Sequence, residues 1–299
     1  GWIPDLTISS DGSILFTGEI YNNSNESSYL ARYSPNSSYS WETSAAYCYV
    51  PPTPSEPPSV GNISGGEFRG NPEGNWIKTL DSEESVNHQY GRHYLDLYSL
   101  AIHADYIYGW GYQNGTQGPG ILVKHDINGN EIWRESATDK STVEGDWEFS
   151  AEDISISSDG SVYVVGSTRG EDSSGWGVRE FNDQSIPNFG SREGFIIKYD
   201  STGDREWTKL LGGSSDDAIE GVVVAQDGSI YVTGETSEGI LGTGDAHQGA
   251  GHISKYNSDG TKEWSQLINS DQFDDADAIT VDKDGFIYVT GRTEGTFWD

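Results

Sequence analysis

The sequence predicts an all-β protein: a β-propeller of four-stranded antiparallel blades, about five of them, with the last incomplete in this chain. Three observations carry the prediction. A hairpin signal, Asp-Gly followed by a Val/Ile/Tyr run that closes on Gly, recurs at residues 11–18, 159–166, 227–234 and 284–291. A second unit, in which Trp follows a turn Gly by four residues, recurs with Gly129 and Trp133, Gly203 and Trp207, and Gly260 and Trp264. The closing glycines at 18, 111, 166, 234 and 291 are separated by 93, 55, 68 and 57 residues, a base period near 55 with two insertions. A β-sandwich also contains many short strands, but it does not require one four-strand unit of constant internal order.

The unit is clearest between Gly194 and Gly234. Ile196, Ile197 and Tyr199 form one β-rich run, and Asp200-Ser201-Thr202-Gly203 turns into a second run led by Trp207. Gly212-Gly213 breaks the chain, Val222 to Val224 form a third run, Asp227-Gly228 makes a tight turn, and Ile230 to Thr233 form the fourth. One such meander cannot bury both faces alone, so copies must pack on each other. The fixed offset of Trp133, Trp207 and Trp264 places each indole at an equivalent point, as a packing wedge between neighbours.

In chain order, residues 1–18 supply an innermost-type strand and its hairpin partner. Tyr29 to Tyr33 reads as a third strand, and Trp76 to Leu80 as a fourth, by analogy with Trp207 to Leu211. A long insertion at about 34–75, rich in Pro, Ser, Gly and Asn, leaves the blade between them, and a shorter one falls at about 170–192. The copy at 105–111 lacks the Gly after Asp105, so its turn is expected to differ. The whole chain, 1–299, reads as a single propeller domain. Five hairpin halves stand against four Trp halves, so either the native chain is longer, or the fifth sheet is short, or its open edge is completed by another molecule.

The run Lys198-Tyr199-Asp200, Gly203, Trp207, Leu211-Gly212-Gly213, Asp216-Asp217, Asp227-Gly228 and Ile230 to Gly234 resembles the SBBP repeat of bacterial and archaeal surface and secreted proteins. The resemblance is strongest from Gly118 to Gly291. It implies a propeller fold and an extracellular, cell-surface setting, and it brings no common catalytic residues.

Composition narrows the function classes. Forty-eight Asp and Glu against 17 Lys and Arg give a formal net charge of −31. That self-repulsion disfavours nucleic acid and anionic membranes as partners and favours cations and basic surfaces. No long apolar run suggests membrane insertion. Cys48 is the single cysteine, which excludes an internal disulfide. The chain starts at Gly1 without a signal-peptide pattern, which reads as a processed product or a fragment. Asn22, Asn25, Asn36, Asn62 and Asn114 each begin an Asn-x-Ser/Thr triplet and are candidate glycosylation sites.

Two acidic patterns are candidate metal sites, with Ca²⁺ the expected ion. Asp126, Asn128 and Asn130 present alternate oxygen ligands in a short turn, as do Asp282 and Asp284, though neither has the bidentate Glu of an EF-hand. The same residue types also fill turns simply because they tolerate left-handed backbone. Glu152, Glu220 and Asp277 each precede a turn Asp by seven residues. If the Ile/Val run that follows is the innermost strand, these carboxylates cluster at one mouth of the central channel and repel one another unless a cation holds them.

The sequence therefore predicts a non-catalytic extracellular module of a cell-surface or filamentous assembly, stabilised by cations, with other copies of itself or surface polysaccharide as partners. The alternative is a polysaccharide lyase-like enzyme acting on acidic polysaccharide, with His88, Tyr90, Arg92 and His93, or the acids at the channel mouth, as its acid-base groups. A quinone-cofactor propeller, which shares the Gly-x-x-x-Trp spacing, has no cofactor ligands here to support it.

Overall fold

The computed structural model describes residues 5–22, 25–34, 69–70, 76–80, 95–113, 120–137, 149–169, 180–181, 184–185, 192–211, 216–237 and 249–296. The first sheet contains β1 (Leu6–Ile8), β2 (Ile14–Asn22), β3 (Asn25–Tyr33), β4 (Arg69–Gly70) and β5 (Trp76–Thr79), in the order β1-β2-β3-β5-β4. The second is a plain meander of β6 (Leu95–His103), β7 (Tyr106–Gln113), β8 (Gly120–Asp126) and β9 (Glu131–Ser136). The third begins with β10 (Phe149–Ile156) and β11 (Val162–Arg169). It is interrupted by a separate two-stranded hairpin, β12 (Glu180–Phe181) and β13 (Gln184–Ser185), and resumes with β14 (Arg192–Tyr199) and β15 (Arg205–Leu211). The fourth holds β16 (Asp217–Val224), β17 (Ile230–Thr236), β18 (Ala250–Tyr256) and β19 (Lys262–Ile268); the fifth has two strands, β20 (Ala278–Val281) and β21 (Ile287–Thr290).

The expected third and fourth strands of the first sheet are β3 and β5. The extra strand β4 pairs outside β5, Arg69 opposite Ile77, and occupies backbone groups that would otherwise form a free edge. Most of both expected insertions, with Cys48, lies outside the described residues.

The equivalence of the sheets is written in their register. Tyr108–Lys124–Trp133, Tyr163–Lys198–Trp207 and Tyr231–Lys255–Trp264 are rows of directly opposed residues across the second, third and fourth strands. Leu15–Arg32–Trp76 is the corresponding row of the first sheet. The three indoles tilt onto the tyrosines of their rows at centroid distances of 6.0 to 6.1 Å.

First strands β1, β6, β10, β16 and β20 pack consecutively on one another, which makes them the inner strands of the series. Apolar clusters fill the spaces between sheets. Leu15, Leu30 and Leu80 meet Leu97, Leu100 and Val123 between the first and second sheets. Tyr108, Trp110 and Leu122 meet Val162, Val164 and Phe195 between the second and third, and Tyr163, Val165 and Ile196 meet Ile219, Val222 and Ile230 between the third and fourth. The wedge role holds for two indoles: a Cβ on Gly203 would lie 3.2 Å from Trp133, and one on Gly260 would lie 3.4 Å from Trp207. The turn of each following sheet thus seats against the indole before it, and Gly203 also needs its positive φ of 98°.

Inner strands carry a one-residue irregularity at a constant place: between Leu97 and Ser99, between Ala151 and Asp153, and between Ile219 and Gly221. The extra residues are Tyr98, Glu152 and Glu220. A bulge of this kind brings the inner strand against its partner, and there the partner carries the closing glycine. A Cβ on Gly111, Gly166 or Gly234 would lie 1.7, 1.8 or 2.1 Å from the carbonyl oxygen of Asp96, Ser150 or Ala218.

The Asp-Gly turns are longer than the tight turn expected. In each, a residue such as Ser157 hydrogen-bonds backbone to backbone with Ser161, and Gly160 at φ 86° donates to Ser157. The copy without Gly does differ: Ala104 takes the positive φ, 52°, in a two-residue connection between His103 and Tyr106.

Candidate functional site

Consecutive bulges place the candidate channel-mouth acids on neighbouring inner strands. Glu152 and Glu220 are bulged residues of β10 and β16, and Asp277 sits at the matching point before β20, its N–H donating to Thr290 O at 2.8 Å. The structure brings the three together electrostatically. The Glu220 carboxyl is pushed up to about 7, first by removal from water and then by the charges of Glu152, Asp277 and Asp275. Its Oε2 is buried with no hydrogen-bond partner. Glu152 is also raised, chiefly by desolvation, with Arg192 pulling down and Asp153 pushing up. Ser150 donates to Glu152, and Arg192 is ion-paired with Glu235.

One residue further along, the first and third copies carry a second acid, Asp5 and Asp153. Asp153 Oδ1 accepts from Ser99 Oγ at 2.9 Å and from Ile154 N at 2.8 Å, while its Oδ2 accepts from Val222 N at 2.9 Å. One side chain therefore ties the second, third and fourth sheets. Asp5 repeats the arrangement, accepting from Leu100 N at 2.7 Å and from Ser99 Oγ at 3.3 Å. Burial raises the Asp153 carboxyl to about 6 against the hydrogen bonds from Val222, Ile154 and Ser99, and burial likewise raises Asp5. In the fourth sheet the matching residue is Gly221, where a Cβ would lie 3.2 Å from Ile279 N, so β16 and β20 approach without a bracket. The sequence reading missed this position, although Asp5 and Asp153 both precede a turn Asp by six residues.

The turn candidates are arranged differently. Asp126 accepts from the N–H groups of Asn128 and Asn130 at 2.9 and 2.8 Å and from the Asn130 side-chain amide at 2.9 Å. Burial pushes its pKa up, but these bonds outweigh it and leave the carboxyl below its ordinary value. Asp282 accepts from Asp284 N and Phe286 N, each at 2.9 Å, and from Tyr288 OH at 3.0 Å, and these hold it low, the Phe286 bond foremost. Asp284 pairs with Lys283 at 2.8 Å. These carboxylates are occupied by their own turns, whereas Glu220 is not.

Among the described residues no group of three or more His, Cys, Asp and Glu is arranged to hold a metal ion. Asn22 and Asn25 face each other across the β2–β3 hairpin. Asn36, Asn62 and Asn114 lie outside the described residues, as do His88, Tyr90, Arg92 and His93.

Four-stranded antiparallel meanders, equivalent in register and stacked through their first strands, define a protein of the β-propeller class; among the described residues no strand pairing joins the first sheet to the last. Residues 206–242 and 263–297 match the family described as SBBP, a β-propeller repeat, and residues 9–38 match a β-propeller domain of unknown function, DUF5122. These matches support an SBBP-repeat β-propeller family for the chain, carried by the part that they cover. It is 27% identical over 152 residues to the regulatory protein FlaEY of Caulobacter vibrioides, a match covering 49% of this chain and 15% of that protein. A crystal structure of a eukaryotic initiation factor aligns with 89% of this chain and 55% of its own at 11% identity, with a TM-score of 0.38, too low to bear on the argument.

Proposed function

We propose that the chain is a non-catalytic, extracellular β-propeller serving as a structural or adhesive module of a cell-surface or filamentous assembly, with cations held at the axial acids. One observation carries the reading: blade faces without a neighbouring sheet keep the apolar chemistry of the faces that are packed. Leu6 and Ile8 are 56% and 63% exposed, whereas Ile154 and Val222, at the position of Leu6 in later sheets, are 6% and 4% exposed. At the other end Tyr288 is 54% exposed, where the equivalent Tyr163 is 2% exposed, and Trp264 is 39% exposed with no following turn seated on it. Apolar surface of this kind calls for a covering sheet, and the reading assigns that role to another copy. A first-sheet face meeting a last-sheet face of another copy repeats the contact made between blades, and such a head-to-tail contact need not close.

Cation binding is supported by Glu220, whose carboxyl is raised by desolvation and then by the charges of Glu152, Asp277 and Asp275. The test is sedimentation velocity of the intact chain at 0.15 M salt, with Ca²⁺ and with chelator, beside Leu6→Asp and Tyr288→Asp. The reading expects concentration-dependent, Ca²⁺-enhanced assemblies that both substitutions abolish. A chain that stays monomeric and binds no acidic polysaccharide overturns it. Unsaturated products released from such a polysaccharide replace it with the lyase reading.

A further inference from the structure

Asp-Gly occurs five times, at residues 11–12, 159–160, 227–228, 259–260 and 284–285. In four of the five the aspartate is tied to the backbone of its own turn. Asp11 Oδ1 accepts from Ser13 N, Asp159 Oδ1 from Ser161 N, Asp227 Oδ1 from Ser229 N and Asp259 Oδ1 from Thr261 N, each at 2.9 Å. The fifth turn is built differently. There Asp282 Oδ1 takes the matching N–H, that of Phe286, at 2.9 Å, and the Asp284 carboxylate turns to the exposed Lys283 at 2.8 Å. Ser9, Ser157, Ala225 and Asn257 hold the place of Asp282 in the other four, so no acid competes for the N–H there.

An aspartate followed by glycine is open to an internal reaction. The glycine nitrogen attacks Cγ of the neutral side-chain acid, the hydroxyl leaves with the amide proton as water, and a succinimide ring closes. Water adding back at Cγ restores aspartate; water adding at the main-chain carbonyl carbon leaves the chain running through the side chain, as isoaspartate. The sum is an isomerisation that needs nothing beyond the solvent. It requires a carboxyl free to turn to the glycine nitrogen, some population of the neutral acid, and a turn that yields to the flat ring.

The four tethered carboxyls meet these conditions poorly. Hydrogen bonds hold them below their ordinary value: from Ser9 and Ser13 at Asp11, Ser157 and Ser161 at Asp159, Ser229 at Asp227 and Thr261 at Asp259. At about 2 in place of 3.8, Asp159 presents roughly sixty-fold less neutral acid at neutral pH. Gly160 and Gly260 are also crowded, a Cβ there lying 3.3 Å from Ser201 or 2.7 Å from Lys209, whereas one on Gly285, as on Gly228, would meet nothing within 4 Å. The 284–285 turn alone joins a sheet with no third strand among the described residues, so β21 is held along one edge where β11 and β17 are held along two.

We propose that Asp284-Gly285 is the isoaspartate-forming site among the Asp-Gly turns of this chain, because Asp282 has taken the backbone N–H that protects the other four. The product carries one extra main-chain carbon beside the Val281–Ile287 pair that closes the β20–β21 register, and so loosens the last sheet. The proposal depends on neither the association reading nor the axial acids.

The intact chain is held at neutral pH and 37 °C, folded and in concentrated urea, beside Asp282→Ser, and isoaspartate at each Asp-Gly is followed by site-resolved peptide mapping. In the folded parent, residue 284 should convert about tenfold faster than residues 11, 159, 227 and 259. In urea, where the turns are gone, the five should agree within about threefold. Asp282→Ser rebuilds the Ser-x-Asp-Gly turn of residues 157–160 and frees Phe286 N for Asp284, so conversion at 284 should drop about fivefold in the folded protein and stay unchanged in urea. Equal rates at the five sites of the folded parent overturn the proposal. A lead for residue 284 that persists in urea overturns it too, since the cause is then the neighbouring sequence and not the fold, and so does a folded Asp282→Ser that converts as fast as the parent. Should Asp282→Ser not fold, the folded and urea rates of the parent decide alone.

Discussion

Glu220→Gln should stabilise the protein above neutral pH and leave it unchanged in acid. In the folded chain the Glu220 carboxyl titrates near 7 rather than 4.5, driven by desolvation and by Glu152, Asp277 and Asp275. An acid with a raised folded pKa contributes stability below its unfolded pKa, and that contribution is lost as pH rises from about 4.5 through about 7. At roughly 1.4 kcal/mol per pKa unit the full loss is about 3 kcal/mol, and water reaching the partly exposed carboxyl reduces it to about 1–2 kcal/mol. Glutamine removes the charge and nearly preserves the shape. In chelator at low ionic strength, urea unfolding at pH 8.5 should show the variant more stable by about 1–2 kcal/mol, with the difference gone at pH 4.5 and reduced in 1 M salt. A variant no more stable than the parent at pH 8.5, or one with the same advantage at both pH values, refutes the electrostatic account of the mouth.

Three further outcomes test the fold. His252, buried and neutral, is pulled from 6.5 to about 4 by burial, against a weak bond to Ala218 O. Its contribution is therefore present above pH 6.5 and lost as pH falls through about 4, and His252→Leu should remove up to about 3 kcal/mol of acid sensitivity from urea titrations over that window. Gly166→Ala should cost about 3 kcal/mol in chemical denaturation, because its methyl meets the Ser150 carbonyl in the bulge. Trp207→Ala, which removes an indole seated on the next sheet with Nε1 bonded to Ser258 O, should cost about 3 kcal/mol; Trp264→Ala, with no turn over it, should cost about 1 kcal/mol in the same assay.

What could be read from the sequence was whatever the repeat fixes at constant spacing. The turn Asp, the closing Gly, the Trp and the bulged acid keep their offsets because each answers a backbone demand made once per blade. The seven-residue offset marks a β-bulge at Glu152 and Glu220, a cause invisible in the residues themselves. Asp5 and Asp153 were passed over because Ser99 and Gly221 fill the same place in the other sheets, and a position with four residue types in five copies shows no pattern. Strand β4 lies outside the repeat, where pairing follows from the particular chain path.

The two acid positions on the inner strands are both raised by burial but differ in their hydrogen-bond donors, and that separates scaffold from candidate site. Asp153 is desolvated but receives Ser99, Ile154 and Val222 as donors, so its charge is used in holding three sheets together. Glu220, one bulge along, is desolvated among like charges and keeps an oxygen with no donor. A repeat selected only for stability gains nothing from placing an acid there, since the second sheet fills the same position with Tyr98, which packs edge-on against Tyr112 at 5.0 Å. Substituting Glu220 by Tyr should therefore be tolerated by the fold, while any cation dependence of assembly that resides at the mouth should disappear with it.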